Sequence, residues 1–327
     1  MKFRTAISLS KSPHEISLET PLLSIGSCFS NCIGSKLAAN KFNVLSNPFG
    51  TIFNPLSIFK ILDYVVSETI PPDFTYVQHD GIWKNLDFHS SFSDPDKSRL
   101  EEKIRESLTL VRTQLPGLSF LLITPGTAWV YETAKENYLV SNCHKLPPEN
   151  FNKKRLLSPE EISLKFEKIH QKISTINPSL RYIFTVSPVR HIKDTLELNS
   201  WSKAILLMAV KNLTYNHKDR EYFPSYEIMM DDLRDYRFYG SDMIHPNDVA
   251  ENYIWDEFAN RYFRNNTLDF LGKWSKIKEA IAHKPFHAAS PSYKAFIHKT
   301  ISKLHALKEF TDVSDEIKIL KERIDEY

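Results

Sequence analysis

Two short stretches of this 327-residue chain carry side chains able to move protons and attack carbon. The first is Asp242-Met243-Ile244-His245-Pro246. An aspartate three residues before a histidine, in a loop closed by proline, lets both side chains face one cleft. The imidazole then serves as a general base, and the carboxylate orients and polarises its ring. The second is Ile25-Gly26-Ser27-Cys28-Phe29, which sets two nucleophiles side by side. At the start of a helix they would meet unpaired N–H groups and a partial positive charge. Such a position lowers a cysteine pKa from about 8.5. Each stretch also has a plainer reading. Asn247 caps a helix beside an incidental histidine, or a small-residue turn buries an inert cysteine, the common fate of that residue.

Other polar residues fall where loops would face the same cleft: His89 in LDFHSSF, Cys143-His144, and Arg190-His191. Arg190 suits a substrate carboxylate or phosphate, which its guanidinium binds bidentately. Trp129 offers a face to a sugar or acyl group, or fills a hairpin core. Cys32, one turn after Cys28 on an apolar face, reads as core. Asp231, Asp232 and Asp235 read as a solvated acidic loop rather than a cation site. No H-E-x-x-H or paired Cys-x-x-Cys is present, so no metal is expected. No G-x-G-x-x-G or G-x-x-x-x-G-K-[ST] is present either, and only 8 glycines leave little room for one. No cofactor is expected.

These residues need elements to hold them. Residues 21–25 form a short apolar run bounded by turn residues, which suits a buried strand. Phe29, Cys32, Ile33 and Leu37 then mark one face of a helix over 29–40. Segment 46–56 reads as a loop, 57–66 as a helix, and Asp80-Gly81 as the turn of a hairpin between 74–78 and 82–88. A helix at 96–113 precedes the apolar strand LSFLLI. Residues 127–132 and 137–143 suggest a second hairpin. Helix 159–175, strand 181–188, helix 197–214, strand 222–230 and helix 248–264 follow. Strands alternating with helices imply an α/β domain whose mostly parallel sheet collects its site beyond the strands' carboxyl ends. The loops at 26–30, 124–129, 187–191 and 231–247 all follow such strands. From residue 271 the pattern turns to helical stripes, first Tyr293, Phe296, Ile297, Ile301 and Leu304, then Ile317, Leu320 and Ile324. The expected division is therefore an α/β domain over 1–270 and a helical extension over 271–327, which is also the expected surface for any homo-oligomer.

Composition narrows the function. Basic and acidic residues number 42 and 40, a net charge of +2, without the surplus a nucleic-acid binder carries. No apolar run approaches the roughly 18 residues of a membrane helix. The opening MKFRTAISLSKSPHE lacks a continuous apolar segment, so no signal peptide is expected and the expected compartment is the cytoplasm. Three cysteines fit free thiols there rather than a disulfide framework.

With those residues in view, LSIGSCFS resembles the motif that names the GSCFA family, a branch of the SGNH/GDSL hydrolase superfamily. The likeness runs over about residues 1–270, through NPFGTIFNP, ITPGTAW, NCHKLP, TVSPVRH, FPSYEIMMDDLRDYRFY and SDMIHPN. It implies a three-layer, flavodoxin-like α/β fold. It also implies four sequence blocks meeting at the ends of a parallel sheet. The last block, Asp-x-x-His, matches Asp242 and His245. The Gly-Asp-Ser block aligns with Gly26-Ser27-Cys28, which puts Cys28 at the nucleophile and Ser27 at the aspartate. The glycine that supplies an oxyanion N–H aligns with Gly50. The Gly-x-Asn-Asp block aligns with Gly126-Thr127-Ala128-Trp129, so the asparagine that donates to the oxyanion is absent. Thr127, Asn47 and Asn54 are the available substitutes.

The expected activity is hydrolysis or transfer of an acyl ester, with the resemblance pointing to O-acetylated sugars or other small acyl esters. Cys28, or Ser27 beside it, attacks. His245 takes the proton and Asp242 orients it. Gly50, Gly126, Thr127, Asn54, Arg190 and His89 line the oxyanion and substrate site. The alternative is a binding or scaffold protein on a degraded hydrolase fold, which the missing asparagine and the helical extension motivate.

Overall fold

The computed structural model describes residues 4–193 and 195–325. Its strands, in chain order, are β1 (Leu22–Gly26), β2 (Val44–Ser46), β3 (Tyr76–His79), β4 (Ile82–Asn85), β5 (Phe120–Thr124), β6 (Trp129–Thr133), β7 (Leu139–Val140), β8 (Phe151–Leu156), β9 (Arg181–Phe184) and β10 (Arg220–Tyr222). Its helices are α1 (Cys28–Ala39), α2 (Pro55–Ser67), α3 (Lys97–Gln114), α4 (Pro159–Ile176), α5 (Leu196–Thr214), α6 (Ser225–Glu227), α7 (Asp248–Tyr262), α8 (Asn265–Ala282), α9 (Pro291–His305) and α10 (Ser314–Asp325).

Strands β2, β1, β5, β9 and β10 pair in that order, all parallel. Counting only this sheet's strands, the order is 2-1-3-4-5, which is flavodoxin-like. Side chains alternate across it, as a strand requires. Leu23, Ile25, Leu121, Ile123, Tyr182 and Phe184 face one core shared with α2, α3, α4 and α5. Ser24 points the other way, and its hydroxyl meets that of Ser30 on α1 at 2.6 Å. Helices thus cover both faces, and the fold is the expected three-layer α/β arrangement. Strands buried on both faces read as unbroken apolar runs, which is why LLSI and FLLI were legible.

Local signals set the ends of these helices. Asn54, Ser158 and Thr195 each accept a backbone N–H from the first turn of α2, α4 and α5. Pro55 and Pro159 follow two of those caps, where a missing N–H costs nothing. Asp80 and Gly81, at φ of 50° and 72°, make the turn between β3 and β4.

The structure corrects the reading at three places. The last strand of the sheet is Arg220–Tyr222, not 222–230. Pro224 cannot donate to a ladder, and residues 225–232 coil into α6 and a π-helical turn. A short apolar run does not distinguish a strand from a buried helical segment. Second, Val44–Ser46, which runs into the first residue of the loop read at 46–56, is an edge strand. Third, the hairpin after residue 127 gains β8, which pairs antiparallel with β6 in the order β7-β6-β8. The polar sequence FNKKRL gave no apolar signal for it.

That small sheet is tied to the main layer by a buried polar cluster. Lys60 of α2 donates to Asp87 and to the carbonyl of Leu139 in β7. Asp87 also accepts from the hydroxyls of Tyr64 and Tyr138, at 2.8 and 2.6 Å.

By contacts the chain resolves into two compact units. One comprises residues 1–8, 20–36 and 44–256, and the other residues 9–19, 37–43 and 257–327. Within the second unit Phe270 stacks on Trp274, with centroids 5.8 Å apart. The indole of Trp274 donates to the carbonyl of Ala39, and Lys41 pairs with Glu316 at 2.7 Å. Among the described residues no helix is long and apolar enough to cross a membrane.

Candidate active site

β1 and β5 are neighbours in the sheet, and the strand order reverses between them; α/β sheets bind ligands at such a point. β1 ends at Gly26, whose φ is +153°. A side chain there would press on the carbonyl oxygen of Thr124 and lie 2.8 Å from its carbon. Only glycine fits. The Gly26 N–H donates to Asn47 Oδ1 at 2.8 Å, and the Ser27 N–H to Thr124 O at 2.9 Å. The turn is thereby locked between β2 and β5, and Cys28 opens α1.

The two adjacent nucleophiles part company here. Ser27 is 2% exposed, and among the described residues its hydroxyl has no hydrogen-bond partner. It points inward against Gly126, where an added Cβ would sit 3.2 Å from Ser27 Cβ. Cys28 is half-buried and reachable. The expectation of a lowered thiol pKa is corrected. Burial pushes the Cys28 thiol up, and the opposing pull of its own backbone N–H is the smaller effect. Desolvation disfavours the thiolate more than the helix start favours it. A resting thiol follows, and it needs a base. Cys32 is half-buried rather than core; its thiol is also pushed up by burial, with Glu251 adding to the effect.

Asp242 and His245 form a hydrogen-bonded pair. Asp242 Oδ2 lies 2.6 Å from His245 Nδ1. Asp242 Oδ1 accepts from the backbone N–H of Ile244 at 2.9 Å and of His245 at 3.0 Å. The His245 backbone and ring bonds, with that from Ile244, hold the carboxyl at about 2. Met243 takes a left-handed φ of 57° to close this turn. An ionised acceptor on Nδ1 puts the ring proton there and leaves Nε2 as the basic nitrogen. Asn247 caps α7 through Ala250, so the helix reading and the dyad reading hold together.

Arg190 joins this loop to β9. Its amide donates to Ile244 O at 3.3 Å, and its guanidinium lies 4.2 Å from the centroid of the Tyr239 ring and 5.3 Å from that of Tyr236. Among the described residues no hydrogen bond links His245 to Cys28 or Ser27.

The expected oxyanion donors are mostly occupied. Gly50, at φ +72°, donates its N–H to Asn47 O at 2.8 Å within a turn. The N–H groups of Gly126 and Thr127 both donate to Phe53 O, at 2.7 and 3.2 Å. Thr127 Oγ1 shares a proton with Ser202 at 3.1 Å and accepts from the Trp129 amide. Asn47 is held at both ends, by Gly26 and by Asn31 at 2.5 Å. These turns engage their own donors because the loops are short and buried, and a buried N–H left unpaired is costly. The amide of Asn54 differs. Its oxygen caps α2 through Ser57 at 2.8 Å, and its Nδ2 has no partner among the described residues. His89 packs over Gly50, and its Nδ1 accepts from the Ser91 amide at 3.2 Å; burial lowers its pKa.

Beside this turn lies a cleft of about 480 Å³ whose walls include Phe53, Asn54, Thr127, Trp129, Cys143 and His191. Trp129 is pinned by its indole N–H to Leu198 O at 3.1 Å. Burial pushes the Cys143 thiol up to about 11 and the His144 ring down to about 4. His144 bonds Asn85 O and Ser90 Oγ, at 2.7 and 3.0 Å, and is structural. Among the described residues no three His, Cys, Asp or Glu side chains cluster to hold a metal ion. Asp232 is instead paired with Arg4 and bonded by Tyr253.

Lys203 is a residue the sequence reading missed. It lies on the buried stripe of α5 with Asn199, Ser202, Leu206 and Val210. A lysine in such a stripe was the available signal. It is 1% exposed, and its Nζ donates to Gly126 O at 2.8 Å and Ser187 O at 2.7 Å. It therefore ties the loop after β5 to the loop after β9. Among the described residues no carboxylate bonds it, and burial lowers its pKa from 10.5 to about 7. A neutral amine still has one N–H for each carbonyl.

A pH effect follows. Below pH 7 both folded and unfolded states carry the charge, and burying it costs most. Between pH 7 and 10.5 the unfolded chain keeps a proton that the folded protein has lost. Unfolding free energy from this group therefore rises with pH, by up to about 1.4 kcal/mol per unit. Urea midpoints taken from pH 7 to 10 should climb in the parent relative to Lys203→Met, which does not titrate. Parallel curves would remove the effect.

Comparison with known proteins gives two matches. The model of the GSCFA family matches residues 21–258, and that of the GSCFA domain protein, C-terminal domain, matches residues 274–326. No curated protein matches the chain.

Proposed function

The chain belongs to the GSCFA family, and from that premise we propose that it is an ester hydrolase or acyltransferase of SGNH type working through Cys28. The observation that carries the reading is the Asp242–His245 pair, hydrogen-bonded at 2.6 Å in the last loop of an α/β sheet whose first strand delivers Cys28 to a helix start. In this reading His245 Nε2 takes the thiol proton as Cys28 Sγ attacks the ester carbonyl. Asp242 stabilises the imidazolium that forms. The carbonyl oxygen becomes an oxyanion, met by N–H groups in the first turn of α1 and by Asn54 Nδ2. Collapse returns the proton from His245 to the departing alkoxide and leaves an acyl thioester on Cys28. Water, or an acceptor hydroxyl, then attacks that thioester with His245 again as base, and the thiol is regenerated. Small acyl esters, O-acetylated sugars among them, are the proposed substrates.

Asn54 gives a sharp test because its two ends do different work. Asn54→Ser keeps a capping oxygen for α2 and removes the amide donor. The expected result is a drop in kcat of about 10²–10³-fold with little change in thermal midpoint. An unchanged kcat would strike Asn54 from the site. The engaged N–H groups of Gly50 and Gly126, with Ala128 at the block's asparagine, favour a second reading as a non-catalytic binding protein. A broad panel of acetyl esters that gives neither turnover nor an acylated protein by intact mass would select it.

A further inference from the structure

The cleft beside Thr127 has a charge pattern that the acyl chemistry does not require. Among the described residues its lining includes Lys145, Lys154 and Lys193, and no aspartate or glutamate. The whole chain is nearly balanced, at +2, so this is a local concentration of one sign. A concave surface with low-dielectric walls focuses such a field. Lys145 and Lys193 make no ion pair among the described residues. Aromatic rings hold two of the ammonium groups at the cleft. Lys154 Nζ lies 4.7 Å from the centroid of Trp129, and Lys193 Nζ lies 5.9 Å from that of Tyr131. Trp129 cannot swing freely, because its indole is fixed to Leu198 O.

The cleft also shares a wall with the nucleophile's turn. Phe53 and Thr127 line it. Phe53 O accepts from both Gly126 and Thr127, and Gly126 rests on Ser27, next to Cys28. Its volume of about 480 Å³ falls within the usual small-molecule range of about 300–1,000 Å³.

We propose that this cleft binds an anionic group, a carboxylate or a phosphate, carried on a ring-bearing ester whose acyl bond is presented to Cys28. The inference rests on the esterase reading only for that last clause. The anion site stands on Lys145, Lys193 and the aromatic walls.

Three acetyl esters separate the possibilities: 4-acetoxybenzoate, 4-acetoxyphenyl phosphate and the neutral methyl 4-acetoxybenzoate. Binding of the corresponding phenols is measured in parallel by tryptophan fluorescence on the full chain, which needs no turnover. The expected result is at least tenfold tighter binding of one or both anionic phenols than of the neutral one, weakening as salt rises. Lys193→Gln and Lys145→Gln, both at exposed positions, should each cut that preference several-fold. They should lower kcat/KM for the anionic ester more than for the neutral one. Preference for carboxylate alone identifies an acid-bearing ligand, and preference for phosphate alone a phosphomonoester. Equal binding of charged and neutral phenols, insensitive to both lysines, overturns the anion site even if the esters turn over. Lysine-dependent anion binding with no ester turned over keeps the anion site and overturns the esterase reading.

Discussion

Cys28→Ala and His245→Ala should each lower kcat/KM on acyl esters by about 10³-fold or more, while Ser27→Ala keeps most of the parent rate. The asymmetry between two adjacent nucleophiles is the informative part. Ser27 is sealed against Gly126 with a hydroxyl that has no partner among the described residues, whereas Cys28 is half-buried at the start of α1. Removing a buried hydroxyl that bonds nothing relieves a desolvation cost of about 1–3 kcal/mol, so Ser27→Ala should hold or raise the unfolding midpoint. Because burial raises the Cys28 pKa, the thiol depends on its base, and losing His245 should cost nearly as much as losing the sulfur. Intact-mass analysis after mixing with an activated acetyl ester should show one acyl group on the parent and none on Cys28→Ala. Retained turnover in Cys28→Ala, with loss in Ser27→Ala, would move the nucleophile to the serine and require the turn to open.

Gly26→Ala should cost about 2–6 kcal/mol of stability. Backbone strain at a left-handed φ contributes about 1–3 kcal/mol. A methyl forced onto the Thr124 carbonyl adds about 1–3 kcal/mol more as overpacking. The position also donates its N–H to Asn47 Oδ1 and accepts the Ile52 amide on its carbonyl, so activity should fall with stability. Gly272→Ala is the control. That glycine lies within α8 with nothing within 4 Å of an added Cβ. It should gain about 0.5–1 kcal/mol, the helix preference of alanine over glycine. Urea unfolding of the two variants against the parent measures both signs. A Gly26→Ala protein within about 1 kcal/mol of the parent would show that the turn relaxes more readily than overpacked sites do.

The sequence by itself determined the α/β class, the alternation of strand and helix, and the family. Those depend on local pattern. The runs LLSI and FLLI are apolar because parallel strands are buried on both faces, and Asn54-Pro55 and Ser158-Pro159 announce helix starts. The motifs GSC and Asp-x-x-His were legible for the same reason, since each lies within a few residues of itself. The tertiary structure alone decided which of two neighbouring nucleophiles is reachable, because burial of Ser27 comes from Gly126, a hundred positions away. It decided that the N–H groups of Gly50, Gly126 and Thr127 are already engaged, while Asn54 Nδ2 has no partner among the described residues. It brought Lys203 beneath two loops as a buried amine, and gathered Lys145, Lys154 and Lys193 around one cleft. It also reversed the expected sense of the Cys28 pKa. Desolvation and hydrogen-bond occupancy depend on every atom that surrounds a group, and most of those atoms come from distant parts of the chain.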